Sequence, residues 1–249
     1  MSMWKRRRLA PILRDGASRL LRMRLCLVAT GASLILRSGR SPRHEGWAAG
    51  FALALAALGL ASCVSVLPEA SPAAPRYLIS PVEFPATDER PVEWSLVIED
   101  PLASRVYDTT KIALVRAPGR VEFYANGEWA DRAPRLVQAA IIRSFENSGR
   151  ILTVGDRIAL PGGTFALQTD IRAMHADYSG NGPVAMFSIY ARIATGRGRV
   201  LAARLFEERV PAAKDTVPEV AAAFDQAVTS AIGEIVGWSM DEAGEAYAK

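Results

Sequence analysis

The chain is poor in the side chains that most often carry metal or nucleophilic chemistry. Its 249 residues hold two cysteines, Cys26 and Cys63, and two histidines, His44 and His175. No His pair, Cys pair or compact Asp/Glu cluster has metal-ligand spacing. His175 sits alone in a strand pattern, where a histidine is more often a surface or packed residue than a catalytic base. Asp170 and Asp177 lie seven residues apart and are not neighbours by sequence alone. Glu207 and Glu208 point to opposite faces of a regular strand and so form no carboxylate pair. The glycine turns Pro161-Gly162-Gly163 and Gly196-Arg197-Gly198 lack the strand–loop–helix context and the lysine of a phosphate loop. Nothing here supports an enzyme, a metal or a cofactor.

The charge is also unevenly spread. The net charge is +4, but residues 1–62 carry Lys5 and ten arginines against only Asp15 and Glu45, a net of +9. The remainder is therefore acidic, at −5. A nucleic-acid ligand needs a basic face on the folded part, and the basic excess lies wholly in the N-terminal segment. Half of the residues are hydrophobic, enough for one well-filled core.

What is present begins with a leader. Arg40, Arg43 and His44 precede the apolar run Trp47–Leu60, which has the length of a signal-peptide apolar region and is short for a membrane span. The run ends in Leu60-Ala61-Ser62-Cys63, which resembles the bacterial lipobox: an aliphatic residue, two small residues and the cysteine that is modified. Small side chains let a peptidase reach the Ser62–Cys63 bond, and the Cys63 sulfur carries the diacylglyceryl group. Residues 40–62 are thus expected to be a lipoprotein signal peptide, with Cys63 the lipid attachment site. Cleavage there leaves Cys63 as the sole cysteine, acylated, so the mature chain has no disulfide and relies on apolar packing. Residues 1–39 hold a second Arg-rich start and the apolar stretch Leu25–Leu36. A lipoprotein leader needs no such extension, and the reading favours a translation start downstream of Met1 over a genuine inserted segment. Residues 63–75 are rich in Pro, Ala and Ser and read as a tether. Val64, rather than the aspartate that retains lipoproteins at the inner membrane in enterobacteria-like sorting, points to the outer membrane, on its periplasmic face.

Residues 76–240 read as one α+β domain: a mostly antiparallel sheet packed by two amphipathic helices. Residues 77–84 and 94–101 are short β-rich runs bounded by Pro and Asp. Ile112–Arg116 and Val121–Ala125 flank the turn Ala117-Pro118-Gly119-Arg120 and form a hairpin. Asp131 is placed to cap a helix reaching about Ser148, with Leu136, Ala140, Ile141, Ile142 and Phe145 mainly on one face and Gly149 as its stop. Strands follow at Ile151–Val154, Thr164–Asp177, Val184–Thr195 and Val200–Val210. The alternation Phe165, Leu167, Thr169, Ile171 and then Phe187, Ile189, Ala191, Ile193 marks half-buried strands. A capping box, Thr216-Val217-Pro218-Glu219, opens a helix carrying Val220, Phe224, Val228, Ile232, Ile235 and Trp238. Residues 241–249 read as a frayed tail.

In this order the pieces resemble the ABC-type transport auxiliary lipoproteins, the outer-membrane partners of transporters with a mammalian-cell-entry (MCE) domain. The matching stretches are Leu96–Pro101, Tyr124–Asp131 (YANGEWAD), Leu136-Val-Gln-Ala and Phe145–Gly149. Phe206–Pro211 and Ala222-Ala-Phe-Asp225 leading to Ile235–Trp238 complete the series. The resemblance implies a non-enzymatic subunit that docks a periplasmic MCE-domain protein. Phospholipid or sterol-like lipids would pass between inner and outer membranes, with permease and ATPase as separate chains. The competing reading is a structural or assembly lipoprotein of the envelope with no lipid handling. Trp129 is expected to be a core or capping aromatic, and Arg197 and Arg199 a solvated hairpin tip; no docking residue is singled out, and homo-oligomerisation stays open.

Overall fold

The computed structural model describes residues 74–88 and 90–249. Ser62, Cys63, the leader and most of the tether lie outside the described residues. Nine strands and two helices follow in the order β1 (Arg76–Tyr77), β2 (Val92–Ile98), β3 (Leu102–Ala103), β4 (Lys111–Ala117), β5 (Arg120–Trp129), α1 (Ala133–Asn147), β6 (Ile151–Gly155), β7 (Phe165–Asp177), β8 (Val184–Thr195), β9 (Val200–Pro211) and α2 (Val217–Tyr247).

Strand β7 organises the sheet. Along one side it pairs with β8 in antiparallel register, from Phe165↔Thr195 to Asp177↔Val184, and β9 pairs beyond β8. Its other side is shared by three parallel partners in turn: β2 at Leu96↔Phe165, β3 at Leu102↔Asp170 and β4 at Ala113↔His175. Outside these lie β6, parallel to β2, and β5, antiparallel to β4, with β1 parallel to β5. The sheet is mixed in kind but antiparallel in extent, because the parallel pairings are short and the β7–β8–β9 ribbon is long. The fold is the expected α+β domain, and β3 is an element that the residue pattern did not reveal.

Both helices cover one face of the sheet. That face presents Trp94, Leu96 and Ile98 of β2, Ile112 and Leu114 of β4, Phe165, Leu167 and Ile171 of β7, and Phe187, Ile189 and Ile193 of β8, all buried. A bulge between Ile171 and Ala173 adds one residue to β7. The added residue shifts the alternation, so Met174 and Ala176, opposite Phe187 and Ala185, continue the inward set. Trp129 meets Phe224 edge-on at 5.6 Å, and Phe206 meets Trp238 at 5.6 Å. Trp129 is thus a core aromatic, as its place before the helix suggested. Each large apolar side chain buried in this way stabilises the fold by about 1.5–3 kcal/mol.

The helices depart from expectation at their ends. Helix α1 starts one residue later than the Asp131 cap implies: Arg132 is the N-cap and makes no side-chain capping bond. Asp131 instead accepts the Arg132 N–H through Oδ1 at 2.7 Å. Pro134 holds the first turn, where its missing N–H costs nothing. The buried stripe is Val137, Ala140, Ile141, Ser144 and Phe145, while Leu136 and Ile142 flank it half-buried. Gly149, at φ 64°, ends the helix as expected. Thr216 is the N-cap of α2, yet it too makes no side-chain capping bond, so the capping box is not formed. The expected fray at Asp241 is a correction as well: α2 continues to Tyr247, and Ala243 is fully buried in the core.

Residues 77–84 are not a strand beyond Tyr77. They run extended across the two helices, whose side chains take the place of a β-ladder. Val82 N–H donates to Ser144 Oγ at 2.8 Å and Val82 O accepts from Asn147 Nδ2 at 3.0 Å. Ser80 N–H donates to Asp225 Oδ1 at 2.6 Å. The alternation that suggests a strand is real, with Ile79 buried; its partner is a pair of helices.

Candidate functional site

The sheet face away from the helices carries the polar chemistry. Inward Ile171 and Ile189 fix the opposite phase for Asp170, Gln168, Tyr190 and Arg192, which sit across from one another on β7 and β8. Arg172 and Arg192 flank the Tyr190 ring, 4.4 and 5.6 Å from its centroid. Asp170 lies 3.8 Å from Arg172, and Asp177 accepts from Arg209 at 3.0 Å. The two aspartates are therefore on one strand with separate cationic partners, and they form no carboxylate pair. The Ser179 backbone N–H, donated to Asp177 Oδ1 at 2.9 Å, holds the Asp177 carboxyl below the usual range, with Arg209 adding to the effect.

His175 is half-buried on this face. Its Nδ1 is 2.9 Å from the Tyr107 hydroxyl, and the two rings stack at 11° with centroids 6.0 Å apart. Burial pushes the imidazole below its ordinary pKa and the Tyr107 phenol above its own. The pair ties the loop between β3 and β4 to β7. Glu207 accepts from Ser188 Oγ at 3.1 Å, whereas Glu208 accepts from Ser230 on α2 at 2.8 Å. The neighbouring glutamates do face opposite sides, as alternation requires. Arg197 and Arg199 are exposed at the β8–β9 turn, where Gly198 has φ 87°. Among the described residues, no group of three His, Cys, Asp or Glu side chains is placed to hold a metal ion.

The concave surface lies elsewhere, around Glu99 at the end of β2. Three cavities meet there. The widest, about 430 Å³, is lined by Glu99, Asp100, Arg135, Gln138, Asp156, Arg157 and Ile158. A second, of about 170 Å³, is lined by Glu99, Asp100, Leu102, Gln168, Thr169 and Arg192. A third, about 110 Å³, runs between Glu99 and Arg157 under the Pro161–Gly163 loop and the β8–β9 turn. Arg157 is ion-paired to Glu99. The loop after β6 is fixed by Asp156, whose Oδ1 accepts the N–H groups of Ile158 and Ala159 at 2.9 and 2.8 Å. This Asx turn holds Ile158 out in solvent at 89% exposure.

None of Glu99, Arg157, Thr169 or Arg192 was singled out from sequence. One signal was available: Arg192 is the only charged residue in the apolar strand Val184–Thr195. The cavity itself comes from the handover of β7 pairing from β2 to β3, which no local pattern encodes.

The sequence and fold can be set beside known proteins. A curated relative, an uncharacterized protein of Bradyrhizobium diazoefficiens, is 32% identical over 146 residues, 59% of this chain. The chain spans 39% of that relative's length. A solved Xanthomonas campestris protein of the DUF330 family is 29% identical, with a TM-score of 0.66 over 71% of this chain and all of its own. A further solved structure, of an uncharacterized protein, shares 14% identity at a TM-score of 0.50 over 64% of this chain and 97% of its own, and shows the fold alone. No described helix is long and apolar enough to cross a membrane. The family model of the ABC-type transport auxiliary lipoprotein component matches residues 77–236, the β1-to-α2 domain just described, and the chain belongs to that family.

Proposed function

We propose that this chain is the lipid-anchored auxiliary subunit of an MCE-type ABC transport system that moves phospholipid or sterol-like lipids between the inner and outer membranes. Cys63 carries the lipid after cleavage of the Ser62–Cys63 bond, and residues 63–75 tether the domain at the periplasmic face of the outer membrane. The domain docks the MCE-domain protein, while the permease and ATPase are separate chains. The subunit catalyses no step. One observation carries the reading: the lipobox Leu60–Cys63 stands a short Pro/Ala/Ser stretch ahead of a domain whose family is named for ABC transport and lipid anchoring.

The test is affinity recovery of the tagged full chain from detergent-solubilised envelopes. The proposal expects an MCE-domain protein, with its permease and ATPase, among the recovered chains. Recovery without any MCE-domain protein overturns the docking role and leaves the structural or assembly lipoprotein reading. Mass spectrometry of the mature N-terminus tests the anchor separately: an intact Ser62–Cys63 bond, or an unmodified Cys63, removes it.

A further inference from the structure

The sheet has open edges among the described residues. It ends at β6 on one side and at β9 on the other, and β1 covers only Glu128 and Trp129 of β5. An open edge presents a row of unpaired N–H and C=O groups, and folded proteins guard such edges with charge, proline or a bulge. Strand β9 is guarded in this way by Arg204, Glu207, Glu208, Arg209 and Pro211. The open part of β5 carries Arg120 and Glu122, and its pairing with β4 slips between Lys111 and Ala113.

Strand β6 has none of these devices. Its five residues, Ile151–Gly155, include no charge and no proline. The bulge in its ladder with β2 takes the extra residue from β2, between Val92 and Ser95, so β6 stays regular. Arg150 C=O accepts the Val92 N–H at 2.9 Å, and the ladder continues through Thr153, Val154 and Gly155. Backbone direction alternates along a strand. Arg150, Leu152 and Val154 therefore bond toward β2, while Ile151 and Thr153 turn their N–H and C=O groups outward. Those outward groups have no backbone partner among the described residues.

The side chains of this edge point the same way. Leu152 is 81% exposed and Ile158, in the loop that leaves β6, 89%; no other large apolar side chain among the described residues exceeds 67%. Arg150, just before the strand, is in no ion pair among the described residues. A row of outward backbone groups is matched by another extended chain, which repeats donors and acceptors at the same spacing. The exposed leucine and isoleucine select apolar side chains on that chain, and the free guanidinium selects a carboxylate. We infer that β6 accepts an added strand from a partner protein: an extended segment of about five residues, apolar at alternate positions, with a carboxylate that meets Arg150. This deepens the docking role proposed above, and the edge argument stands without that role.

Photo-cross-linking of the full chain in intact envelopes tests the edge, with p-benzoylphenylalanine in place of Leu152 and, as the guarded control, in place of Leu205 on β9. The Leu152 position is expected to cross-link to one defined segment of one envelope protein, and the Leu205 position is not. Thr153→Pro removes an outward N–H and spares the ladder with β2, so the denaturation midpoint should hold while the cross-link falls about tenfold. Thr153→Val should keep the cross-link, and Arg150→Glu should weaken it. Thr153→Lys, a charge on the edge, serves as the second variant where Thr153→Pro fails to fold. The inference is overturned by a cross-link to a second copy of this chain, by the lack of any defined segment, or by a yield that neither Thr153→Pro nor Thr153→Lys lowers. A defined segment in a protein without an MCE domain keeps the added strand and counts against the docking role alone. Affinity recovery of the MCE-domain protein without a cross-link at Leu152 keeps the docking role and sinks the strand.

Discussion

Gly196 and Gly163 touch backbone to backbone: a Cβ on Gly196 would overlap the carbonyl oxygen of Gly163. A Cβ on Gly163 would in turn lie 2.8 Å from Val97 Cγ2 and 2.9 Å from the Phe165 carbonyl oxygen. The β8–β9 turn is thereby seated against the loop that enters β7, and this loop carries Arg157 to Glu99. Gly196→Ala is expected to destabilise the domain by about 1–3 kcal/mol, the usual cost of overpacking. Gly162→Ala, with open space around it, should stay within about 0.5 kcal/mol. Chemical denaturation of the three chains checks the contrast.

Ser144 is fully buried and bridges α1 to the extended segment, accepting Val82 N–H at 2.8 Å and donating to Ala140 O at 2.7 Å. Ser144→Ala leaves the Val82 N–H without its acceptor, and the expected loss is about 1–3 kcal/mol. Asn147→Ala, at the more exposed end of the same segment, should cost less. If Ser144→Ala proves neutral in urea denaturation, the segment is not held by this bond.

The His175–Tyr107 pair gives a pH dependence with a definite sign. Burial lowers the folded-state pKa of His175 below its unfolded value of about 6.5. The unfolded chain therefore binds the proton first as pH falls, and stability that is complete above that value is lost as pH drops through the folded-state pKa. Asp177, also depressed, adds a loss of the same sign further into acid. His175→Gln is expected to flatten the fall in denaturation midpoint between pH 7.5 and 5.5 while leaving the more acidic Asp177 phase in place. An unchanged slope in His175→Gln would assign the effect elsewhere.

How much of this was readable beforehand depends on what each residue packs against. The β7–β8–β9 ribbon was legible because Phe165, Leu167, Ile171 and Phe187, Ile189, Ile193 alternate against a helical layer, and alternation is a local property. The parallel pairings of β2, β3 and β4 along β7 join residues about 60 to 70 positions apart, and nothing in their own neighbourhoods encodes them. The bulge at Arg172 is likewise visible only through its partner strand. Residues 77–84 show the converse case, where an alternating pattern was satisfied by Ser144, Asn147 and Asp225 on helices. The candidate site followed the same division. The separate roles of Glu207 and Glu208 were evident from period two, while the cavity between Asp100, Thr169 and Arg192 exists only once β2 gives way to β3.

The C-terminal end of α2 offers a test of one departure from the sequence pattern. The acidic run Asp241-Glu242 suggests fraying, since carboxylates near a helix C-terminus oppose the dipole. The helix nevertheless persists, because Ala243 is fully buried and Ala246 packs against the core at the next turn. Tertiary burial outweighs an end effect of about 0.3–1 kcal/mol at an exposed terminus. Truncation after Met240 removes this last packed turn and should lower the denaturation midpoint by an amount equivalent to about 1–2 kcal/mol, the scale set by the buried apolar groups removed. Truncation after Tyr247 removes only Ala248 and Lys249, both exposed, and should leave the midpoint unchanged. Equal midpoints for the two truncations would mean that the turn from Asp241 to Tyr247 contributes nothing to the fold.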